Sequence, residues 1–214
     1  MTEDEAKAWL TDRLGVSRET FERLEDFVGM VTRESRNQNL ISAASLEHIW
    51  ARHVVDSAQL LPLKSARNGD ENLPWLDLGT GAGFPGIIIS ILSPQPMILV
   101  ESRRKRFAFL ADAAEMLALS HVTVHGGTLE SLGDCGVGAI SARAFAPLPK
   151  LLDLAHRFSR KKTVWLLPKG RSVQQELASI ETSWQGLFHV EQSLTDADSD
   201  ILIAQQVQRR KEAS

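Results

Sequence analysis

The chain has 214 residues, of which 43% are hydrophobic and 24% are charged, and its formal net charge is -3. This composition is typical of a globular protein with an ample apolar core, and the slightly negative charge does not by itself indicate a nucleic-acid partner. No apolar run reaches the roughly 20 residues that span a bilayer, and residues 1–5 lack the basic and apolar regions of a signal peptide.

The first 65 or so residues are predicted to be helical. Thr2 and Glu5 form a capping-box pattern, which satisfies two backbone N–H groups at the start of a helix. Apolar residues then recur at helical spacing at Phe21, Leu24, Val28 and Val31. The polar run 36–39 predicts a turn, and a further helical segment is expected over 45–61.

That second helical segment places Arg52, His53 and Asp56 within about one turn of one another. Most helical additions of this kind only cover the edge of a sheet. Polar residues clustered beside a ligand-binding domain can instead contact a substrate, so both interpretations stay open.

After the polar linker 65–72, strands and helices alternate, which is typical of a parallel α/β sheet. We predict strands at about 75–78, 97–101, 121–125, 137–141, 163–168, 187–194 and 200–207. We predict helices near 85–92, 103–118, 147–158 and 172–183. The turn 195–199 is short enough that the last two strands must be antiparallel neighbours. The chain is thus divided into a helical extension, 1–65, packed on an α/β domain, 66–214.

The stretch 75–86 is the strongest local signal in the chain. An apolar strand is followed at once by a glycine-rich turn and then by an apolar helix. Glycine permits close backbone approach and positive φ angles, and a helix start offers unpaired N–H groups and a partial positive charge. The stretch therefore predicts a loop that binds a nucleotide-type cofactor.

Two cofactors are compatible with this loop. Gly81-x-Gly83-x-x-Gly86 matches the dinucleotide fingerprint, whereas Gly79-x-Gly81-x-Gly83 matches the loop that binds S-adenosylmethionine (SAM). Either cofactor needs an acid about 20 residues further on to hold ribose hydroxyls, and Glu101 supplies it. The antiparallel last hairpin favours SAM, because dehydrogenases of the usual kind continue with parallel strands.

Two basic segments, 103–106 and 157–162, stand out against the negative net charge. Such runs are commonly solvated helix ends. The first segment is the better candidate for a nucleic-acid contact, because it directly follows Glu101 and so lies at the ligand-facing edge of the sheet.

Four motifs follow one another along the chain: Arg52-His53-x-x-Asp56-Ser57, the loop 77–86, Ser-Ala-Arg-Ala-Phe-Ala at 141–146, and Pro168-Lys169-Gly170. Together they resemble the ribosomal RNA small subunit methyltransferase G family (glucose-inhibited division protein B), over residues 38–205. The resemblance implies a Rossmann-like class I SAM-dependent methyltransferase fold: a mostly parallel seven-stranded sheet with an antiparallel last strand, preceded by N-terminal helices. It also implies methyl transfer from SAM to N7 of one guanine in the 530 loop of 16S rRNA.

The resemblance and the loop pattern together imply a set of site residues. The expected cofactor contacts are Gly79, Gly81, Gly83, Phe84, Glu101, Leu129, Glu130 and Arg143. The expected substrate contacts are Arg52, His53, Arg103, Arg106 and Lys169. His53 is also compatible with a core position, and Phe84 and Phe145 with either core packing or stacking on a base.

The residues around the fourth strand bear on the chemistry. Methylation of an exocyclic amine usually comes with an Asn/Asp-Pro-Pro-aromatic segment after this strand, and the segment here, 141–145, is Ser-Ala-Arg-Ala-Phe. Methylation of a pyrimidine carbon needs a cysteine nucleophile, whereas Cys135 precedes the strand and is expected to be structural. Guanine N7 has a free lone pair, so its methylation needs positioning and no general base.

Arg143 is the leading candidate for a catalytic residue that bridges cofactor and base. Its guanidinium can donate to guanine O6, while N7 must stay free for the methyl group. The alternative is a salt bridge from Arg143 to Asp77 or Glu130 without a substrate contact.

Two other functions remain open from the sequence, namely an NAD-dependent oxidoreductase and a SAM-binding regulator without catalysis. For the favoured function we expect SAM as the cofactor and no metal site, because the histidines and Cys135 lack ligand spacing. The expected partner is 16S rRNA, in the small ribosomal subunit or its assembly intermediates. We expect a monomer without a membrane contact. We also expect the protein in the cytoplasm, since its single cysteine is typical of a reducing compartment.

Overall fold

A seven-stranded sheet forms the centre of the protein, as seen in a computed structural model that describes residues 1–210. The strands are β1 (Trp75–Leu78), β2 (Met97–Val100), β3 (Val122–His125), β4 (Val137–Ser141), β5 (Ser159–Lys169), β6 (Trp184–Gln192) and β7 (Asp200–Arg209). Their order in the sheet is β3-β2-β1-β4-β5-β7-β6. The last residues of the domain predicted over 66–214, namely 211–214, lie outside the described residues.

The pairing of the strands confirms the predicted fold class. Neighbours among β1 to β5 pair in parallel. The last strand, β7, lies between β5 and β6 and is antiparallel to both. The short connection 195–199 therefore joins an antiparallel hairpin, as the sequence predicts.

Two strands begin earlier than the apolar pattern indicates. β5 begins at Ser159 and not near 163, because half-buried Ser159 pairs with Val137, and the exposed residues 160–162 follow at an irregularity in the β4–β5 register. β6 begins at Trp184 and not near 187, since it is an edge strand whose exposed residues carry no apolar alternation. Backbone pairing extends both strands beyond what hydrophobicity alone reveals.

Helices cover both faces of the sheet. They are α1 (Glu3–Asp12), α2 (Arg18–Gln38), α3 (Ala43–Leu46), α4 (Asp56–Ala58), α5 (Leu60–Ser65), α6 (Gly86–Leu92), α7 (Arg104–Met116), α8 (Leu148–Ala155) and α9 (Val173–Ala178). One apolar core joins α1, α2, α6 and α7 to the sheet, and a second core joins α8 to the other face. No helix in the described part of the chain has the length and apolar character required to cross a membrane.

The N-terminal helices differ in one respect from the prediction. The predicted capping box at the start of α1 is confirmed, with Thr2 and Glu5 bonding to each other's backbone N–H. The turn predicted over 36–39 is wrong, because α2 continues to Gln38 and ends at Asn39, whose φ is 48°. The Glu34 carboxylate accepts hydrogen bonds from the amides of the last helical turn, which prolongs the helix.

The segment 45–61 is not one regular helix. A π-helical turn, Trp50–Val55, separates α3 from α4. The Glu3 carboxylate of α1 accepts hydrogen bonds from the N–H groups of Trp50 (3.1 Å) and Ala51 (3.0 Å), which fixes the start of this turn. The turn brings Arg52, His53 and Asp56 to the carboxyl-terminal edge of the sheet, where the candidate site lies.

Candidate active site

The glycine-rich loop between β1 and α6 has the backbone conformation that its sequence predicts. Gly79, Gly81 and Gly83 have φ angles of 65°, 63° and 96°, which residues with side chains rarely adopt. A side chain at Gly79 would also collide with Phe145, whose Cδ2 lies 3.0 Å from the position of a Cβ. The loop therefore passes in close contact with the segment that follows β4.

Asp77 anchors this loop from within the sheet, where its side chain is fully buried. Its Oδ2 accepts hydrogen bonds from Thr80 Oγ1 (2.7 Å) and from the Gly86 N–H (3.0 Å). Its Oδ1 accepts one from Ser141 Oγ (2.7 Å), and that hydroxyl oxygen accepts one from Trp75 Nε1 (2.9 Å). Burial raises the pKa of Asp77 to about 6, although these hydrogen bonds lower it. Asp77 thus holds β1, the loop and β4 together.

Glu101, the predicted ribose-binding acid, directly follows β2. Its carboxylate accepts hydrogen bonds from the N–H groups of Gly81 (3.0 Å) and Arg103 (2.8 Å). Each carboxylate oxygen can accept more than one hydrogen bond, so these contacts leave capacity for two ribose hydroxyls. Glu101 therefore both shapes the glycine loop and faces the space beside it.

A cavity of about 340 Å³ opens beside Glu101 and is called the smaller cavity below. Of the predicted site residues, its wall contains Gly79, Glu101, Arg103, Arg106, Leu129 and Glu130. Four of the predicted cofactor contacts are absent from this wall, namely Gly81, Gly83, Phe84 and Arg143. Arg103 and Arg106, predicted for the substrate, lie on the same wall as the expected cofactor contacts.

The turn that carries Leu129 and Glu130 is a short 3-10 helix, Leu129–Ser131. Arg157 supports it from behind, because Nη2 donates to the carbonyls of Leu129 (2.8 Å) and Leu132 (2.7 Å). Its Nη1 donates to the Asp134 carboxylate (2.6 Å). This member of the basic segment 157–162 therefore has a structural role that its charge alone does not reveal.

A second cavity of about 790 Å³, called the larger cavity below, lies between the N-terminal helices and the ends of β4 and β5. Its wall contains the predicted site residues Arg52, His53, Arg143 and Lys169. The segment 144–146 lines both cavities, so the two spaces meet at the carboxyl-terminal end of β4. The residues predicted mainly for the cofactor thus line one cavity, and most of those predicted for the substrate line the adjoining one.

Arg143 does not form the salt bridge that was considered from the sequence. Its Nη1 lies 3.7 Å from Asp56 Oδ2, and neither Asp77 nor Glu130 is within ion-pair distance of it. One long hydrogen bond, of 3.5 Å, runs from Nη1 to the Arg52 carbonyl. The partners considered for Arg143, Asp77 and Glu130, are wrong. The acid nearest to it is Asp56, which is distant in sequence and comes from the N-terminal helical segment.

His53 is buried at 4% exposure, and its ring stacks on Phe84 with 4.8 Å between the ring centroids. Within residues 1–210 neither ring nitrogen has a hydrogen-bond partner. Burial, together with the charges of Arg143 and Arg52, lowers the pKa of His53 to about 3. The imidazole is therefore neutral at physiological pH.

The two phenylalanines take different positions. Phe84 is 5% exposed, packs edge-on against Phe27 and stacks on His53, so its side chain belongs to the core. Phe145 is only partly buried and lines both cavities. Of the two, Phe145 is the one that a base could stack on.

Lys169, at the end of β5, is partly neutralised within the larger cavity. Its Nζ donates to Glu176 Oε2 (2.7 Å), and the same oxygen accepts a hydrogen bond from the Leu148 N–H (3.1 Å). Cys135, by contrast, lies before β4 and lines neither cavity. Burial raises the pKa of its thiol, which makes it a poor nucleophile.

Two residues of the site were not singled out as such from the sequence. The signal for Asp56 in the sequence is its helical spacing from Arg52 and His53. Arg157 had no local signal, because its contacts are to backbone carbonyls of another segment.

Comparison with known proteins gives consistent results. The sequence model of the family described as "rRNA small subunit methyltransferase G" matches residues 20–202. A protein from Rhizorhabdus wittichii named "Ribosomal RNA small subunit methyltransferase G" is 52% identical over 212 residues, which are 98% of this chain and 95% of the relative. A protein of the same name from Zymomonas mobilis is 48% identical over 99% of this chain and 97% of its own length.

Solved structures of similar fold are more distant in sequence. A putative O-methyltransferase from Klebsiella pneumoniae superposes with a TM-score of 0.62 at 16% identity, covering 94% of this chain and 96% of the other. The O-methyltransferase from Bacillus cereus in complex with SAH has a TM-score of 0.60 at 14% identity, covering 92% and 96%. At these identities the likeness establishes the fold.

Proposed function

The chain belongs to the rRNA small subunit methyltransferase G family, and from that premise we propose that it methylates N7 of a guanine in the 530 loop of 16S rRNA. It is a SAM-dependent methyltransferase that acts on the RNA of the small ribosomal subunit. The nicotinamide alternative has no support left, because its only basis was the literal glycine fingerprint.

The observation that carries the proposal is the meeting of the two cavities at 144–146. The smaller cavity has an acid at the end of β2, as a ribose requires, and the 129–131 turn on its far side to flank an adenine. The larger cavity, of about 790 Å³, is large enough for a nucleotide base and is lined by three cationic side chains and four carboxylates. A methyl donor and an RNA base would thus meet at the end of β4.

The residues of the smaller cavity are proposed to hold SAM. Glu101 would accept the ribose hydroxyls, and the backbone of Leu129 and Glu130 would face the adenine. Gly79 would lie against the cofactor, where the absence of a side chain allows close approach. Gly81, Gly83 and Phe84 would act indirectly by shaping the loop, since they do not line the cavity.

The residues of the larger cavity are proposed to hold the RNA. Arg143 would contact both ligands, because it lies beside the shared segment 144–146. Arg52, His53 and Lys169 would contact the nucleotide or its phosphates. Arg103 and Arg106, on the wall of the smaller cavity, would contact RNA phosphates beside the cofactor. Because such contacts are electrostatic, the affinity for RNA should fall with added salt.

Methyl transfer from SAM to guanine N7 requires the protein mainly to position the two reactants. SAM supplies an electrophilic methyl group when it is bound, and guanine N7 offers an unprotonated lone pair that needs no general base. Neutral His53 and paired Lys169 are not required to move a proton, and the thiol of Cys135 lies outside both cavities. Holding the two reactants in line can lower the barrier by about 7–11 kcal/mol.

Three further features belong to the same proposal. The substrate would be a structured small subunit or an assembly intermediate, since the net charge of -3 does not favour binding to naked RNA. The protein would act as a monomer, because residues of one chain line both cavities. Its place would be the cytoplasm, where small subunits are assembled.

The proposal is tested by incubating the protein with labelled SAM and small subunits that lack the modification. We expect label in 16S rRNA with the natural chain, and a loss on the order of 100-fold with Arg143→Ala, as when one preorganised donor is removed from an active site. Arg18→Ala, at a side chain that is 88% exposed, is the matched control and should keep full activity. Binding of SAM without any label in RNA would instead indicate a non-catalytic regulator.

A further inference from the structure

Three polar groups on the wall of the larger cavity have fewer partners than their chemistry requires. Asp56 Oδ1 accepts hydrogen bonds from Gln59 Nε2 (3.0 Å) and Thr195 Oγ1 (3.2 Å). Asp56 Oδ2 faces only Arg143 Nη1, at 3.7 Å, which is too far for a hydrogen bond. The Asp56 side chain is 15% exposed and lines the larger cavity.

The neighbours of Asp56 show the same deficit. Within residues 1–210, the Arg143 guanidinium makes a single long hydrogen bond of 3.5 Å, and its side chain is 32% exposed, so most of its five N–H donors are open to the cavity. Both nitrogens of buried His53, one turn before Asp56, have no partner. Buried polar groups are almost always paired in folded proteins, so unpaired His53 and the free Oδ2 of Asp56 mark this wall of the larger cavity as a place for a polar ligand.

The cluster presents a negative acceptor directly beside a positive donor. The Watson–Crick edge of guanine presents the complementary pair, with N1–H as donor and O6 as acceptor on adjacent ring positions. Adenine presents the reverse order, because its N1 is an acceptor and its 6-amino group is a donor. A carboxylate facing adenine N1 would be repelled, whereas the same carboxylate facing guanine N1–H would be paired.

On the basis of the proposed function, we infer that Asp56 is the residue that selects guanine. Its Oδ2 accepts a hydrogen bond from N1–H of the target base, and Arg143 donates to O6. The 3.7 Å between Oδ2 and Nη1 allows one flat ring edge to contact both atoms. This pairing engages the base away from N7, which stays free for the methyl group.

Asp56 acts on the base and not on the cofactor, because it lines the larger cavity and is absent from the wall of the smaller one. Gln59 and Thr195 hold its Oδ1, which orients the remaining oxygen toward Arg143. Base recognition by one oriented carboxylate then predicts a discrimination between guanine and adenine of about 10- to 100-fold.

The test compares small subunits that carry guanine or adenine at the methylated position, with Asp56→Asn as the variant. Asparagine keeps an oxygen for Gln59 and Thr195 and replaces Oδ2 by an amide that can donate to adenine N1. We expect methyl transfer to guanine to fall on the order of 100-fold and the guanine-to-adenine ratio to fall at least about 10-fold. The dissociation constant for SAM, measured by calorimetry, should stay unchanged.

Asp26→Asn is the matched control, since it makes the same chemical change at an exposed position of α2 that lines neither cavity. The ratio should keep its natural value in this variant. The stoichiometry of SAM binding gives the folded fraction of each variant, so rates are compared per folded molecule.

Several results would overturn the inference. Equal losses on both bases would give Asp56 a structural role, and weaker SAM binding would assign it to the amino-acid end of the cofactor. Unchanged transfer to guanine would remove Asp56 from recognition altogether. If the natural chain methylated neither subunit, the proposed function itself would fail, and that outcome is visible before any variant is compared.

Discussion

Asp77 is the residue on which the shape of the glycine loop depends most directly. Its carboxylate receives three hydrogen bonds, from the Gly86 N–H and from the hydroxyls of Thr80 and Ser141, while it is fully buried. Burial dominates and raises the pKa of Asp77 to about 6 from its ordinary value of 3.8. Between these two values the folded chain binds the proton more tightly than the unfolded chain does.

The free energy of unfolding should therefore contain a pH-dependent contribution from Asp77. Its raised pKa favours the folded state at low pH, and this contribution is lost as the pH rises from about 4 through 6. This contribution is absent in Asp77→Asn. The free energy of unfolding of the variant minus that of the natural chain should therefore increase by about 2 kcal/mol from pH 4.5 to pH 7.5. Denaturant titrations of both proteins at the two pH values measure this difference. A difference that does not vary with pH would show that Asp77 titrates normally.

At the scale of elements, the 3-10 turn Leu129–Ser131 is supported from outside its own sequence. Arg157 donates to the carbonyls of Leu129 and Leu132, and its guanidinium lies 4.3 Å from the ring centroid of Phe158. These contacts hold the turn against the smaller cavity without touching a ligand themselves. Arg157 is thus a positioning residue for the proposed cofactor site.

Replacing Arg157 should weaken SAM binding selectively. Arg157→Ala removes two charge-assisted hydrogen bonds to the turn, and we expect the dissociation constant for SAM to rise about 10-fold or more. The rate of methyl transfer at saturating SAM should change little, and Arg157→Lys should restore part of the affinity. Lys161→Ala, at an exposed position in the same basic segment, is the control. Unchanged SAM affinity in Arg157→Ala would contradict the role.

Local patterns in the sequence predicted the elements well where burial determines them. The strands 75–78 and 137–141 are buried along their whole length, so their apolar runs mark both ends correctly. The early start of β5 leaves no apolar pattern, because Ser159 joins the sheet through backbone pairing and residues 160–162 are polar and exposed.

The site was predictable to a similar degree. The positive φ angles of the loop follow from its glycines, and Glu101 follows from its spacing after the loop. The Asp56–Arg143 pair and the support from Arg157 depend on segments that only the tertiary fold brings together. No local pattern contains this information, which is why the wrong partners were considered for Arg143.

At the scale of the whole molecule, the helical extension does more than cover the sheet. Arg52, His53 and Asp56 come from this extension and form one wall of the larger cavity, opposite the ends of β4 and β5. The smaller cavity, by contrast, is built from the α/β domain alone. In the proposed function, cofactor binding and base recognition are thus assigned to different segments of the chain, and 144–146 lines both cavities.

The position of the new methyl group tests this account most directly. Small subunits are treated with the protein and SAM, and their 16S rRNA is then reduced with borohydride and cleaved with aniline, which cuts RNA at N7-methylguanosine. We expect one new cut, at a guanine of the 530 loop, and none when SAM is omitted or Arg143→Ala replaces the natural chain. A methyl group found instead on an exocyclic amine or a ring carbon would contradict the account.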